Sequence, residues 1–241
     1  MKVGSILIAL ATAQEVEQPE LKDDVWYGAS LAGPRSGVVV AGDGERRYDD
    51  LTDMAVKYFR KQGLKGKDGF DERKYWTYGC HCMMLGDRPM SSMGHGQPKD
   101  ALDNKCKAYK DCQKCVREKY GEECIGEFNR YIWKWSGKNN RLESKNPTGT
   151  CERELFNCDA QFVADTYAQK DVFNMDYHMF WGPFDAQEEQ NCPSNGGAPV
   201  DHECCGGTEK PFLWYAHGQG HNKCCENDPA GGTVVDWNAQ C

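Results

Sequence analysis

The chain has 241 residues, 39% hydrophobic and 27% charged, with 14 cysteines and a formal net charge of -8. The acidity argues against nucleic acid and against strong adsorption to anionic membranes, both of which attract cationic proteins. The apolar supply is thin for one or two domains of this length, and the cysteines point to disulfides as the compensating device, as in loop-rich secreted proteins.

Met1-Lys2, the mostly apolar run Val3 to Ala11 and the small-x-small Ala11-Thr12-Ala13 predict a signal peptide over 1–13 and a secreted, extracellular protein. No run is long and apolar enough to predict a transmembrane segment. Residues 14–47 read as an extended N-terminal arm with a short strand at Val38–Ala41. The arm is either a disordered leader, which its composition favours, or a strand waiting for a partner chain. Residues 49–62 switch to helical period: Leu51, Met54, Ala55, Tyr58 and Phe59 form one stripe, acids lead, bases trail, and Gly63 stops the helix. Asp103–Tyr120 and Cys151–Tyr167 repeat that period. Between them Tyr131 to Trp135 alternates, Ser136 to Asn140 turns, and Arg141–Ser144 forms the second arm of a hairpin. After Ala168 come aromatics, then cysteine pairs among Gly, Pro and Asn. That predicts an aromatic linker and a separate, small, irregular Cys-rich module over 169–241.

Tyr78-Gly79-Cys80-His81-Cys82, the helix carrying Cys106 and Cys112, and Cys158-Asp159 together resemble the secreted phospholipase A2 family over roughly residues 48–168. The resemblance implies a mainly α, disulfide-rich fold: a pair of antiparallel helices, an N-terminal helix and a small β-hairpin. The family's calcium loop reads Tyr-Gly-Cys-x-Cys-Gly-x-Gly-Gly, and its active helix Asp-x-Cys-Cys-x-x-His-Asp-x-Cys-Tyr. Matched residue by residue, Tyr109 stands at the general-base histidine and Lys110 at the calcium-binding aspartate. Met83 and Leu85 replace loop glycines, Gly86 remains, and Asp159 keeps the carboxylate that would orient the histidine.

The chemistry of those exchanges is unfavourable to hydrolysis. A tyrosine with pKa near 10 is a poor base at neutral pH. An ammonium repels a divalent cation, and calcium needs six to eight oxygens. The domain reads as a non-enzyme with no cofactor and no metal. The resemblance also implies the bridges Cys112–Cys158, Cys82–Cys106 and Cys124–Cys151. Seven residues back from Cys112 and seven on from Cys158 lie Lys105 and Asp165, where the family has a further disulfide; a salt bridge is expected in its place. The same geometry sets the Tyr109 hydroxyl to donate to Asp159. Cys115, Cys192, Cys204, Cys205, Cys224, Cys225 and Cys241 stay unassigned, and Cys80 is expected to bridge into the C-terminal module, its partner there left open.

Sharper readings of other residues weigh less. His217 and His221 beside Cys224-Cys225 have zinc-like spacing, but an even cysteine count favours disulfides. His178 and His202 read as surface or turn residues, His81 and His95 as loop residues without a partner. Trp133, Trp135, Phe180 and Trp181 suit core packing or a protein contact better than membrane insertion. Met83, Met84, Met90 and Met93 suggest an adaptable contact surface. The tail motif Cys204-Cys205-Gly206, Pro211-Phe212, Cys224-Cys225 resembles a short module of extracellular matrix-like proteins. The expected role is a non-catalytic building block of an extracellular assembly (matrix, coat or surface filament). Its expected partners are other protein subunits, with self-assembly as one route. The alternative is a calcium-independent lipid- or membrane-binding protein.

Overall fold

Three helices organise the computed structural model, which describes residues 20–28, 38–39, 46–83, 94–194, 200–226 and 231–241. The predicted signal peptide lies outside the described residues, as do Leu85, Gly86, Met84, Met90 and Met93.

Helix α1 (Arg47–Lys61) forms where the apolar stripe predicts it, with Leu51, Met54, Ala55 and Phe59 buried. Asp49 Oδ2 accepts the Arg46 N–H at 2.7 Å, satisfying an unpaired donor at the helix start. Gly63 at φ 88° carries the chain out in a conformation that strains other residues. Helix α2 (Ala101–Tyr120) is capped by Asp100, whose Oδ1 accepts the Asp103 N–H at 2.9 Å. Cys106, Tyr109, Cys112 and Val116 recur at helical spacing on its buried face. Helix α3 (Cys151–Ala168) starts at Thr150, whose hydroxyl accepts from Arg153 N, and buries Leu155, Cys158, Phe162 and Val163. Each such side chain contributes roughly 1.5–3 kcal/mol on burial. Lys105 of α2 meets Asp165 of α3, and Cys112 of α2 bonds Cys158 of α3, so contacts descend α3 as they climb α2.

Strands β3 (Ile132–Ser136) and β4 (Arg141–Ser144) form the hairpin, with Trp133 opposite Ser144 and Ser136 opposite Arg141. The N-terminal arm departs from expectation. Strand β1 (Trp26–Gly28) pairs antiparallel with β3 of its own chain, and β2 (Val38–Val39) lies parallel to β1. The four-stranded order is β2-β1-β3-β4. The described residues of the arm find strand partners within the chain, because the edge of β3 offers backbone groups to pair with. The Tyr27 ring packs on Trp133 at 5.3 Å, and Asp23 pairs with Lys57 at 2.6 Å and Lys61 at 2.5 Å. Of the strand expected at Val38–Ala41, residues 38 and 39 are described.

The tail is also more regular than its composition suggests. Strands β5 (His202–Gly207) and β6 (Lys210–Ala216) pair antiparallel, as do β7 (Asn222–Cys225) and β8 (Thr233–Asp236). Nor is it set apart. Phe212 belongs to the core shared by the helices, Cys115 of α2 bonds Cys204 of β5, and Glu154 of α3 accepts the Thr208 N–H at 2.7 Å. Phe212 and the cross-links Cys115–Cys204 and Cys80–Cys192 join what sequence reading separated.

Candidate functional site

Asp159 on α3 is fully buried, and its two oxygens are used separately. Tyr109 on α2 donates its hydroxyl to Oδ1 at 2.7 Å, and Tyr131, just before β3, donates to Oδ2 at 2.7 Å. Arg47, from the first turn of α1, brings its Nε to 3.8 Å from Oδ2, an ion-pair distance too long for a hydrogen bond. The three helices and the segment entering β3 therefore meet at one carboxyl. Burial pushes the Asp159 carboxyl up, opposed by the Arg47 charge and the two hydroxyls. Burial, followed by the Asp159 charge, holds Tyr109 and Tyr131 well above the ordinary tyrosine range. Both phenols thus remain donors at neutral pH. The Tyr109 ring stacks on Phe162 at 4.4 Å, so the side chain is fixed on two sides.

Lys110, the next residue of α2, faces different surroundings. Its side chain is 5% exposed and its amine has no hydrogen-bond partner among the described residues. The amine lies against Gly94: a Cβ added there would come within 2.7 Å of both Lys110 Nζ and the Cys80 carbonyl oxygen. Desolvation lowers the amine to about 7, with Asp103 opposing it. Asp103 is itself committed, accepting the N–H groups of Cys80 (2.8 Å), His81 (2.7 Å) and Lys99 (2.9 Å). His81 is buried with Nε2 3.0 Å from Gly96 O, and desolvation lowers it too. The loop Tyr78–Met83 is thus organised by one α2 carboxylate.

No family model matches the chain. Among curated proteins it is 30% identical to the basic phospholipase A2 homolog MT1 of Agkistrodon contortrix laticinctus over 119 residues, 49% of this chain and 74% of that protein. It is 32% identical to the basic phospholipase A2 homolog AppP2 of Agkistrodon piscivorus piscivorus over 108 residues, 44% and 75% of the two chains. Group IID secretory phospholipase A2 of Mus musculus is 32% identical over 120 residues, 50% of this chain and 73% of that protein. The chain belongs to the secreted phospholipase A2 family.

About half of this phospholipase A2 relative lies outside the match. Within the clamp, Cys82 bonds Cys106, Cys112 bonds Cys158 and Cys124 bonds Cys151, while Lys105 Nζ lies 3.2 Å from Asp165 Oδ1. The other cysteines are joined as Cys80–Cys192, Cys115–Cys204, Cys205–Cys224 and Cys225–Cys241. Cys224 and Cys225, weighed as zinc ligands, are therefore disulfide-bonded, and His217 Nδ1 lies 2.9 Å from Glu203. A cleft of about 480 Å³ is lined by Glu118, Lys119, Thr208, Phe212 and Glu226, away from Tyr109, Lys110 and Asp159. None of the described helices is long and apolar enough to cross a membrane.

Two expectations need correction. His178 and His81 are buried and partnered, because each has a backbone carbonyl within reach: Arg73 O at 2.9 Å and Gly96 O at 3.0 Å. The four aromatics grouped together also separate: Trp133 and Trp135 are core, whereas Phe180 and Trp181 are exposed. Sequence reading missed Arg47, Tyr131 and Asp103. Arg47 had a signal, since it falls four residues before Leu51 and in phase with the buried stripe.

The family's calcium ion fits these residues poorly. The amine of Lys110 is buried beside the Cys80 carbonyl, and the nearby Asp103 carboxylate already accepts three backbone donors. Among the described residues, a divalent cation would meet the Lys110 amine and no spare side-chain carboxylate.

Proposed function

We propose that the chain is a secreted, non-catalytic phospholipase A2-like protein whose antiparallel helix pair is a scaffold, and that it acts as an interaction subunit of an extracellular assembly. The buried, unpartnered Lys110 amine carries the catalytic half of this reading. At the position the family resemblance gives to a calcium-binding aspartate, it removes the electrophile. Tyr109, at the general-base position, is locked as a hydrogen-bond donor to Asp159 and is the wrong way round to accept a proton. No step of phospholipid hydrolysis can then be assigned to these side chains.

The assembly half draws support from what surrounds the clamp. Cys115–Cys204 ties the tail to α2, Cys80–Cys192 ties it to the Cys80 loop, and Cys205–Cys224 and Cys225–Cys241 staple the tail internally, giving a body that endures oxidising surroundings. Among the described residues the sheet ends in β2 and β4, and an edge strand can offer backbone groups to another chain. Hydrolysis assays on phosphatidylcholine with millimolar calcium should give no turnover above blank. Sedimentation velocity across a hundredfold concentration range should show self-association or, with extract from the source, a heavier complex. Calcium-dependent turnover sinks the first half, and a monomer under both conditions sinks the second.

A further inference from the structure

Five of the most exposed large apolar side chains fall within ten residues: Val172, Met175 (55%), Met179, Phe180 (62%) and Trp181 (41%). Exposed aromatics on a floppy loop would mean little, but this segment is pinned. His178 is 1% exposed at its centre. The backbone N–H groups of Phe180 and Trp181 both donate to His178 Nδ1 at 3.2 Å, which makes Nε2 the protonated nitrogen that donates to Arg73 O at 2.9 Å. Met179 N donates to Thr77 O at 3.0 Å, and Gly79 N to Tyr177 O at 2.8 Å. The His178 ring stacks beneath Trp181 at 4.5 Å, and Phe173 stacks on Tyr78 at 5.1 Å. Gly182 closes the turn so tightly that an added Cβ would fall 2.1 Å from Met175 O. The molecule thus holds apolar side chains in water in one fixed arrangement.

The rim narrows the occupant. Lys74 Nζ stands 5.6 Å over the Phe173 ring, Arg73 is ion-paired to Asp71, Lys170 is ion-paired to Asp171, and Asp176 lies within the segment. Both signs are present in similar number, so the rim complements a surface that itself carries both signs. The patch is also small. A stable protein interface takes roughly 20–30 residues a side, far more than these few side chains. Tryptophan and phenylalanine with lysine at their edge are what the water–lipid boundary accommodates, with rings among the acyl chains and ammonium groups at the phosphates.

We infer that residues 172–181 are a docking finger for a zwitterionic phospholipid surface, Phe180 and Trp181 entering the interface while Lys74 and Asp176 face the phosphate and choline groups. The inference rests on reading the chain as a lipid-binding protein, and it stands apart from the assembly reading. The finger lies beyond the stretch that resembles the phospholipases, and it needs no calcium.

The test is partition of the full chain onto phosphatidylcholine vesicles in a metal chelator, read by co-sedimentation and by the blue shift of tryptophan emission. Wild type should partition, and Phe180→Ser/Trp181→Ser should partition roughly tenfold less or weaker. Leu213→Ser, exposed on β6, should partition like wild type. Vesicles enriched in phosphatidylserine should bind no better, given the net charge of -8. Absence of wild-type binding, or equal binding by the double variant, overturns the proposal. So does loss of lipid-free self-association by the double variant without any vesicle binding, an outcome that assigns the finger to a protein contact and leaves the assembly reading intact. A monomer that binds vesicles through the finger upholds this inference and removes that reading.

Discussion

Tyr109 and Lys110 are neighbours on one helix, equally out of water, and their surroundings solve burial in opposite ways. Tyr109 enters a cluster where both hydroxyls and both carboxyl oxygens have a partner, with Arg47 supplying the counter-charge although its Nε and Nη1 make no hydrogen bond among the described residues. Lys110 buries an amine with no hydrogen bond among the described residues, and desolvation lowers it to about 7. A buried polar group is tolerable when its partners come with it and expensive when they do not. The first cluster is therefore expected to stabilise the fold, and the second to weaken it.

The largest effect should come from removing the hub. Asp159→Ala leaves the Arg47 guanidinium without its counter-charge and two phenols without acceptors. The expected cost is about 3–5 kcal/mol, measured as a drop in the urea midpoint. A loss under about 1 kcal/mol would mean that water reaches the cluster and that the contrast with Lys110 is false.

Lys110→Met should move stability the other way, by about 2 kcal/mol at neutral pH, because it removes an unpartnered charge of similar length. The pH profile identifies the cause. The folded amine titrates near 7 and the unfolded one near 10.5. Below pH 7 both states hold the proton and the penalty is complete. Between 7 and 10.5 the unfolded chain binds more protons, so wild-type stability rises with pH through that window. The advantage of the methionine variant should shrink over the same range. A gap that does not change with pH would assign the effect to packing.

These two environments were unequally legible in sequence. Helical period placed α1, α2 and α3, since each buries an unbroken stripe, and the residues of the Cys112–Cys158 clamp follow from it together with the family resemblance. Tyr109 and Asp159 are 50 positions apart yet came together from that one cross-link. Arg47 was lost because a charged residue at a helix start reads as solvated, although it continues the Leu51 stripe. Tyr131 was read only as part of an alternating strand. Nothing local announces that a hydroxyl will reach a helix 28 residues on. In the tail, Phe212 and Tyr215 are buried three positions apart with Leu213 exposed between them, a spacing that breaks strand alternation and left β6 without a periodic signal.

Within the paired cluster, Tyr109→Phe sharpens the account. It keeps the stack on Phe162 and removes one donor from Asp159, whose other oxygen retains Tyr131 and Arg47. The expected loss is about 1 kcal/mol by chemical denaturation, well short of that for Asp159→Ala. Equal losses would make Tyr109, not the carboxyl, the centre of the cluster.

The smallest effect belongs to Lys105–Asp165. The ions are 3.2 Å apart, but the Lys105 side chain is 35% exposed, so water and salt screen the attraction and the long lysine must be held in one geometry. Asp165→Asn also keeps an acceptor for the Gln161 side-chain amide, 3.1 Å away. The expected loss is under about 1 kcal/mol and should vanish at 1 M salt. A disulfide, which the family resemblance places at these two positions, would contribute about 2–4 kcal/mol. The pair therefore cannot replace the strength of that bridge. What it keeps is alignment: opposite charges seven residues from Cys112–Cys158 penalise a register slip of α2 against α3. A double-mutant cycle showing a coupling as large as a disulfide would overturn this ranking, and one near zero with an unchanged midpoint would leave Cys112–Cys158 to hold the helices in register without it.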